Sequence, residues 1–176
     1  DVAGAPAQVD RLVTEGDIVC LIGGGGKSGI LCCYQAMQNV GPYGKVIVVE
    51  YSEKNAQRIK DMGLATDVVV ADATNVMDVY NKVMAITGGR GTDVTINNVN
   101  VPNTEMTSIL ITKGRGCVYF FSMATSFTRA ALGAEGVGKD INLIVGNGYA
   151  RGHAELTLNI LRESEPIRNL FEELYA

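Results

Sequence analysis

No apolar run in this sequence reaches the length needed to cross a bilayer. The runs at 18–22, 46–49 and 141–145 are strand-length, and each is flanked by glycine or charge. The reading is of a soluble chain with no membrane partner. Clustered positive charge is missing too: 15 Lys and Arg stand against 19 Asp and Glu, a formal charge of -4, with a pI near 5.0. A nucleic-acid surface needs a basic face to neutralise phosphates, so that class of partner is excluded. Cysteine is sparse. The four residues at 20, 32, 33 and 117 match neither a zinc spacing nor a disulfide framework, which points to a reducing cytoplasm. The single histidine, His153, has no second titrating partner in sight and is assigned no chemistry. Nothing resembles a signal peptide, and the first residue is Asp1 rather than Met, so the start reads as a cut inside a longer chain.

What the chain has is 176 residues, 47% of them hydrophobic, enough to bury the core of one ordinary domain and too few for two. Short β-branched runs alternate with helix-period stretches throughout, the signature of a doubly wound α/β fold with helices on both faces of a parallel Rossmann sheet. Six strands are expected, at Asp17 to Ile22, Lys45 to Val49, Asp67 to Val70, Asp93 to Asn97, Cys117 to Phe121 and Ile141 to Val145. Ala56, Ile59 and Met62 recur at helical spacing, and Val76, Val79, Tyr80, Val83 and Met84 trace the next helical face, capped by Thr74 or Asn75. Ile167, Leu170, Phe171 and Leu174 mark a last helix, with Pro166 in its first turn. Ser122 to Lys139 reads as one long irregular stretch beside a ligand site.

After the first strand comes Gly23-Gly24-Gly25-Gly26-Lys27-Ser28-Gly29, in which Gly24, Gly26 and Gly29 satisfy the G-x-G-x-x-G spacing. The first glycine is expected to make the tight turn, the second to let backbone approach a pyrophosphate, and the third to bring helix and strand together. Backbone N–H groups at the start of the helix then face the phosphates. The strand after this helix ends in Glu50, 21 positions past Gly29, close to the offset of a carboxylate that binds the adenosine ribose. These residues point to NAD as the cofactor, with Tyr51 beside Glu50. A triphosphate-binding loop is excluded, because Leu21 stands where its first glycine would be and Asp93 begins a strand instead of ending one.

Lys27 is read either as an extra charge near the pyrophosphate, next to Ser28, or as a solvated side chain. Asp72 either sits by the adenine or only sets the turn before the next helix. Asn98 and Asn100, Ser122, and Asn147 follow the fourth, fifth and sixth strands, the edge where open α/β sheets bind ligands, and together look like a nicotinamide-side rim. Cys32 and Cys33 point about 100° apart on a helix, which favours packing over chemistry.

The order of elements from Gly24 onward, with Gly63 thirteen residues after the strand-end acid, resembles the cofactor domain of the medium-chain dehydrogenase/reductase superfamily. More narrowly, the segments 26–36, 102–108 and 120–127 (GKSGILCCYQA, PNTEMTS and FFSMATSF) resemble the L-erythro-3,5-diaminohexanoate dehydrogenases of bacterial lysine fermentation. The resemblance implies an NAD-dependent oxidative deamination and a preceding domain that forms the other wall of the active cleft. It places the diamino acid between the two, supplies no catalytic or metal-ligating residue for this chain, and leaves room for a homo-oligomer. Two other readings stay open here: another medium-chain dehydrogenase, and a non-enzymatic NAD-sensing domain of the kind that gates channels, which shares the loop, the acid and an Asp72-Ala73-Thr74 turn.

Overall fold

Nearly continuous burial along the central strands places the sheet in the middle of the molecule. The computed structural model describes residues 2–146 and 148–175. Strands β1 (Ile18–Ile22), β2 (Lys45–Glu50), β3 (Asp67–Val70), β4 (Thr92–Asn97), β5 (Thr112–Phe120) and β6 (Asn142–Val145) form one sheet in the order β3-β2-β1-β4-β5-β6. Every neighbouring pair is parallel, so the six-stranded doubly wound sheet expected from the sequence is what the chain forms. The order reverses between β1 and β4, and a crevice opens there at the carboxyl ends of the strands.

Val19, Leu21, Val46, Val48, Val94, Ile96 and Tyr119 face one side of the sheet. Against them pack α1 (Gly4–Leu12), α2 (Lys27–Val40), α3 (Glu53–Asp61), α7 (His153–Glu163) and α8 (Glu165–Tyr175). Ile18, Cys20, Ile22, Ile47 and Val49 face the other side, under α4 (Val76–Thr87) and the end of α5 (Glu105–Ile111). Val118 and Phe120 continue that face beneath α6 (Phe127–Gly136). The two-residue period of the strands thus produces two cores, each covered by the helical stripe facing it. Among the described residues no helix is long and apolar enough to cross a membrane.

Some local readings change. Ser122 to Lys139 is not irregular: it contains α6, capped by Ser126, whose hydroxyl accepts from Arg129 N. Its buried residues are the small Ala130 and Gly133, while Phe127 and Leu132 are exposed, so no large apolar stripe announces it. β5 starts at Thr112 rather than Cys117, across a register irregularity opposite Thr92 and Val94. Of the two cap candidates before α4, Asn75 is the one that accepts from Asp78 N. α1 and α5 come with no sequence signal.

Candidate functional site

The glycine loop runs from β1 to α2 at the switch point. Gly23 takes the left-handed conformation, φ +82, so the tight turn falls one residue before Gly24, where the spacing had placed it. Gly24 is side-chain-free for a different reason: a Cβ there would come within 2.5 Å of Val48 Cγ1. A Cβ on Gly29 would collide with the carbonyl of Gly23 and the backbone of Gly24, and this is the close helix–strand approach expected of the third glycine. Gly26 differs from both. It caps α2 in extended conformation, is exposed, and has nothing within 4 Å of where a Cβ would be. The protein leaves space at that position.

Glu50 ends β2 only 8% exposed. Its Oε2 accepts from Gly25 N at 2.8 Å and its Oε1 from Ser52 N at 3.2 Å. Each carboxylate oxygen keeps a lone pair for a further donor. Glu50, Tyr51 and Asp72 line one cavity of about 280 Å³ together with Gly23, Val49, Ala71, Ala73, Thr74, Val99 and Val101. Tyr51 is an exposed part of that rim. Asp72 sets the turn: its Oδ1 accepts from Thr74 N at 2.8 Å and from Thr74 Oγ1 at 2.7 Å. The Thr74 hydroxyl and then the Thr74 N–H hold the Asp72 carboxyl below the usual carboxylate range.

On the other side of the loop, Asn98 follows β4 and its N–H donates to Ile22 O. Its Oδ1 accepts a long contact from Cys32 Sγ at 4.0 Å. Among the described residues Asn98 Nδ2 is the buried side-chain donor left with no hydrogen-bond partner. An orphaned amide at a ligand-binding edge points to a ligand that completes it. Asn100 is exposed in the following loop and lines neither this cavity nor the next. Ser122 accepts from Ala124 N at 3.0 Å and borders a wider cleft of about 890 Å³ with Tyr119, Met123, Phe127 and Tyr149. Asn147 lies outside the described residues.

Ser28 is partly exposed in the first turn of α2. Lys27 is exposed, yet not simply solvated: its Nζ sits 4.2 Å from the centroid of the Tyr175 ring. Cys32 and Cys33 are fully buried, and burial raises both thiols well above their ordinary value. That supports packing, and Cys33 Sγ lies 4.0 Å from Gly24 O beneath the loop. Asp93 serves as a clip, accepting from Ile18 N at 2.8 Å and pairing with Lys113.

Sequence reasoning missed the frame that holds these loops. Asn97 is fully buried. Its Nδ2 donates to Thr104 Oγ1 at 2.8 Å and Ser108 Oγ at 3.0 Å, and its Oδ1 accepts from Val99 N at 3.3 Å. Glu105, 3% exposed, accepts from Ser126 N at 2.7 Å and so ties the start of α6 to α5. Thr107 reaches Ala73 O at 2.7 Å, on the wall of the smaller cavity. The segment 102–108 carried the only hint, as a stretch rich in hydroxyls and one acid.

The profile of the family described as zinc-binding dehydrogenase matches residues 30–143 of the chain. An L-erythro-3,5-diaminohexanoate dehydrogenase from Acetoanaerobium sticklandii is 54% identical over 175 residues, covering 99% of this chain and 51% of that protein. One from Fusobacterium nucleatum subsp. nucleatum is 53% identical with the same coverage. The chain therefore spans about half the length of these relatives. A zinc-dependent alcohol dehydrogenase 2 from Streptococcus pneumonia, in its apo form, superposes with a TM-score of 0.73 at 20% identity, over 95% of this chain and 48% of that one, a likeness of fold. Among the described residues no three His, Cys, Asp or Glu side chains gather to hold a metal.

Proposed function

Because this chain belongs to the zinc-binding dehydrogenase family, we propose that it is the NAD(H)-binding half of an L-erythro-3,5-diaminohexanoate dehydrogenase acting in the cytoplasm. Identity of 54% over nearly the whole chain supports the substrate. The observation that carries the cofactor is the loop itself: Gly26 is left open beside a buried Glu50 whose carboxylate is fixed by two backbone N–H groups.

In this reading the N–H groups at the start of α2 bind the pyrophosphate, with Gly24, Gly26, Lys27, Ser28 and Gly29 forming its bed. Glu50 accepts from the ribose hydroxyls, and Tyr51 and Asp72 border the adenine side. Asn98 Nδ2 donates to the nicotinamide side, and Ser122 borders the cleft beyond it. When bound, the cofactor supplies the hydride acceptor. The protein holds that acceptor's ring against the substrate cleft at Ser122, which makes hydride transfer an oriented step. The conversion would take the diamino acid, oxidised NAD and water to 5-amino-3-oxohexanoate, ammonia, NADH and a proton, with the hydrogen on C3 given up as hydride and the oxygen at C3 coming from water. The rest of the longer protein supplies the opposite wall and the acid–base groups.

The test is NADH production by the full-length protein from L-erythro-3,5-diaminohexanoate with NAD or NADP. We expect turnover with NAD. A 2′-phosphate about 4 Å from the Glu50 carboxylate is repelled by about 1 to 4 kcal/mol, so NADP should bind roughly fivefold to several hundredfold more weakly. Equal use of both cofactors, or a Glu50→Ser variant with an unchanged preference, removes Glu50 from the ribose site. No turnover of the diamino acid by a protein that binds NADH removes the substrate.

A further inference from the structure

Lys27 occupies an electrostatically awkward place. It is the first residue of α2, where the unpaired N–H groups already carry the positive end of the helix dipole, and that turn contains no acidic residue. Among the described residues Lys27 forms no ion pair. A lysine in such a position repels its own helix end unless an anion joins it. The side chain does not swing away into solvent either, because its Nζ lies over the Tyr175 ring, 4.2 Å from the centroid.

Tyr175 ends α8, and α8 is anchored from below: Ile167 is fully buried and Leu170 nearly so, both against the core that α2 also joins. The Tyr175 ring packs edge-on against Phe171, with centroids 5.2 Å apart. The face of the ring is thus held where the ammonium meets it, which is the geometry a cation–π contact requires. Helix α8 and the glycine loop, 148 positions apart in sequence at Lys27 and Tyr175, meet through this pair, while Gly26 beside it leaves its side open.

We infer that Tyr175 is a positioning residue for Lys27, holding its ammonium next to the N-terminus of α2 so that the cofactor's phosphates meet a pre-oriented cation. The inference rests on the NAD(H) reading above and adds α8 to the walls of that site. Holding a flexible lysine in place removes part of the side-chain entropy that binding would otherwise cost.

The experiment is fluorescence titration of the full-length protein with NADH, with adenosine as a competitor that lacks phosphates. Replacing the ring in Tyr175→Leu should weaken NADH binding roughly two- to fivefold, the worth of an exposed cation–π contact. Tyr175→Phe keeps the ring face and should bind as the wild type does. Adenosine affinity should be the same in all of these proteins. In a Lys27→Met background, itself weaker for NADH, the Tyr175→Leu change should have no further effect. An unaltered NADH affinity in Tyr175→Leu overturns the inference. So does a loss shared by Tyr175→Phe or by adenosine, or one that persists without Lys27, since each would mark a merely structural role. Wild-type protein that fails to bind NADH overturns the NAD(H) reading instead.

Discussion

Gly26 and Gly29 stand three residues apart in one loop and answer to different constraints. Gly26 has open space around its missing side chain and an ordinary φ of -83, so Gly26→Val should fold and lose NADH binding, because the side chain fills the bed of the pyrophosphate. Gly29→Val meets the backbone of Gly23 and Gly24 and should lower the melting temperature before any ligand is added. Circular dichroism melts beside NADH titrations separate the two; a Gly26→Val protein with full affinity would take the loop out of the site. The buried thiols carry a second consequence at this scale. Desolvation pushes Cys20 from 9.0 to about 12 and raises Cys32 and Cys33 as well. A thiol whose folded pKa is raised contributes stability that is intact below the unfolded pKa, near 9, and is lost as pH climbs toward the folded value. Each thiol that ionises only when unfolded tilts the balance by about 1.4 kcal/mol per pH unit. Urea midpoints should accordingly fall between pH 9 and pH 11, and less steeply in Cys20→Ala than in the wild type; parallel profiles would show that these thiols do not set the alkaline limit.

Elements differ in how plainly they announce themselves. β1 and β2 bury apolar side chains on both faces, β4 buries Val94 and Ile96 on one and Thr95 and Asn97 on the other, and all three read as short β-branched runs, while α4 and α8 show their stripes because large residues line one side. α6 and α5 are less plain: α6 buries only Ala130 and Gly133, and α5 buries Glu105, Thr107 and Ser108 before Ile109 and Ile111, so most of what the two helices bury is small or polar and apolar spacing does not mark them. The glycine loop and Glu50 were legible because backbone chemistry demands those residue types at that spacing. Asn97 was not, since a strand-end asparagine looks the same whether it faces water or ties three partners together. Its contacts predict a measurable cost. Asn97→Ala removes the donor that the Thr104 and Ser108 hydroxyls accept from and the acceptor that Val99 N donates to, and should destabilise by about 2 to 4 kcal/mol in urea denaturation. An Asn97→Ala protein as stable as the wild type would mean that water replaces the amide and that the β4–α5 loop does not depend on it.

At the scale of the whole molecule, the chain closes its own core but only one side of its ligand edge. Both faces of the sheet are covered over β1, β2 and β4, while the cleft beyond β5 and β6 stays wide, at about 890 Å³, and exposes Met123, Phe127 and Tyr149. Large apolar side chains left in the open beside a cleft mark a surface that something else covers, and the relatives are about twice as long as this chain, in keeping with the two-walled cleft proposed above. Cofactor affinity and catalysis should therefore separate. The adenosine and pyrophosphate contacts proposed above all come from this chain, so residues 1–176 produced alone should bind NADH within about tenfold of the full-length protein. Orientation of the reacting carbon between two walls is worth several orders of magnitude in rate, and one wall cannot provide it. The isolated chain should consequently make no measurable NADH from L-erythro-3,5-diaminohexanoate under conditions in which the full-length protein turns over. Both quantities are readable on one preparation, by fluorescence titration and by absorbance of the reduced cofactor. Steady turnover by the isolated chain would place the catalytic groups on this half, with Ser122 and Tyr149 at the cleft the first to examine. Loss of NADH binding together with turnover would show instead that the other half shapes the cofactor bed.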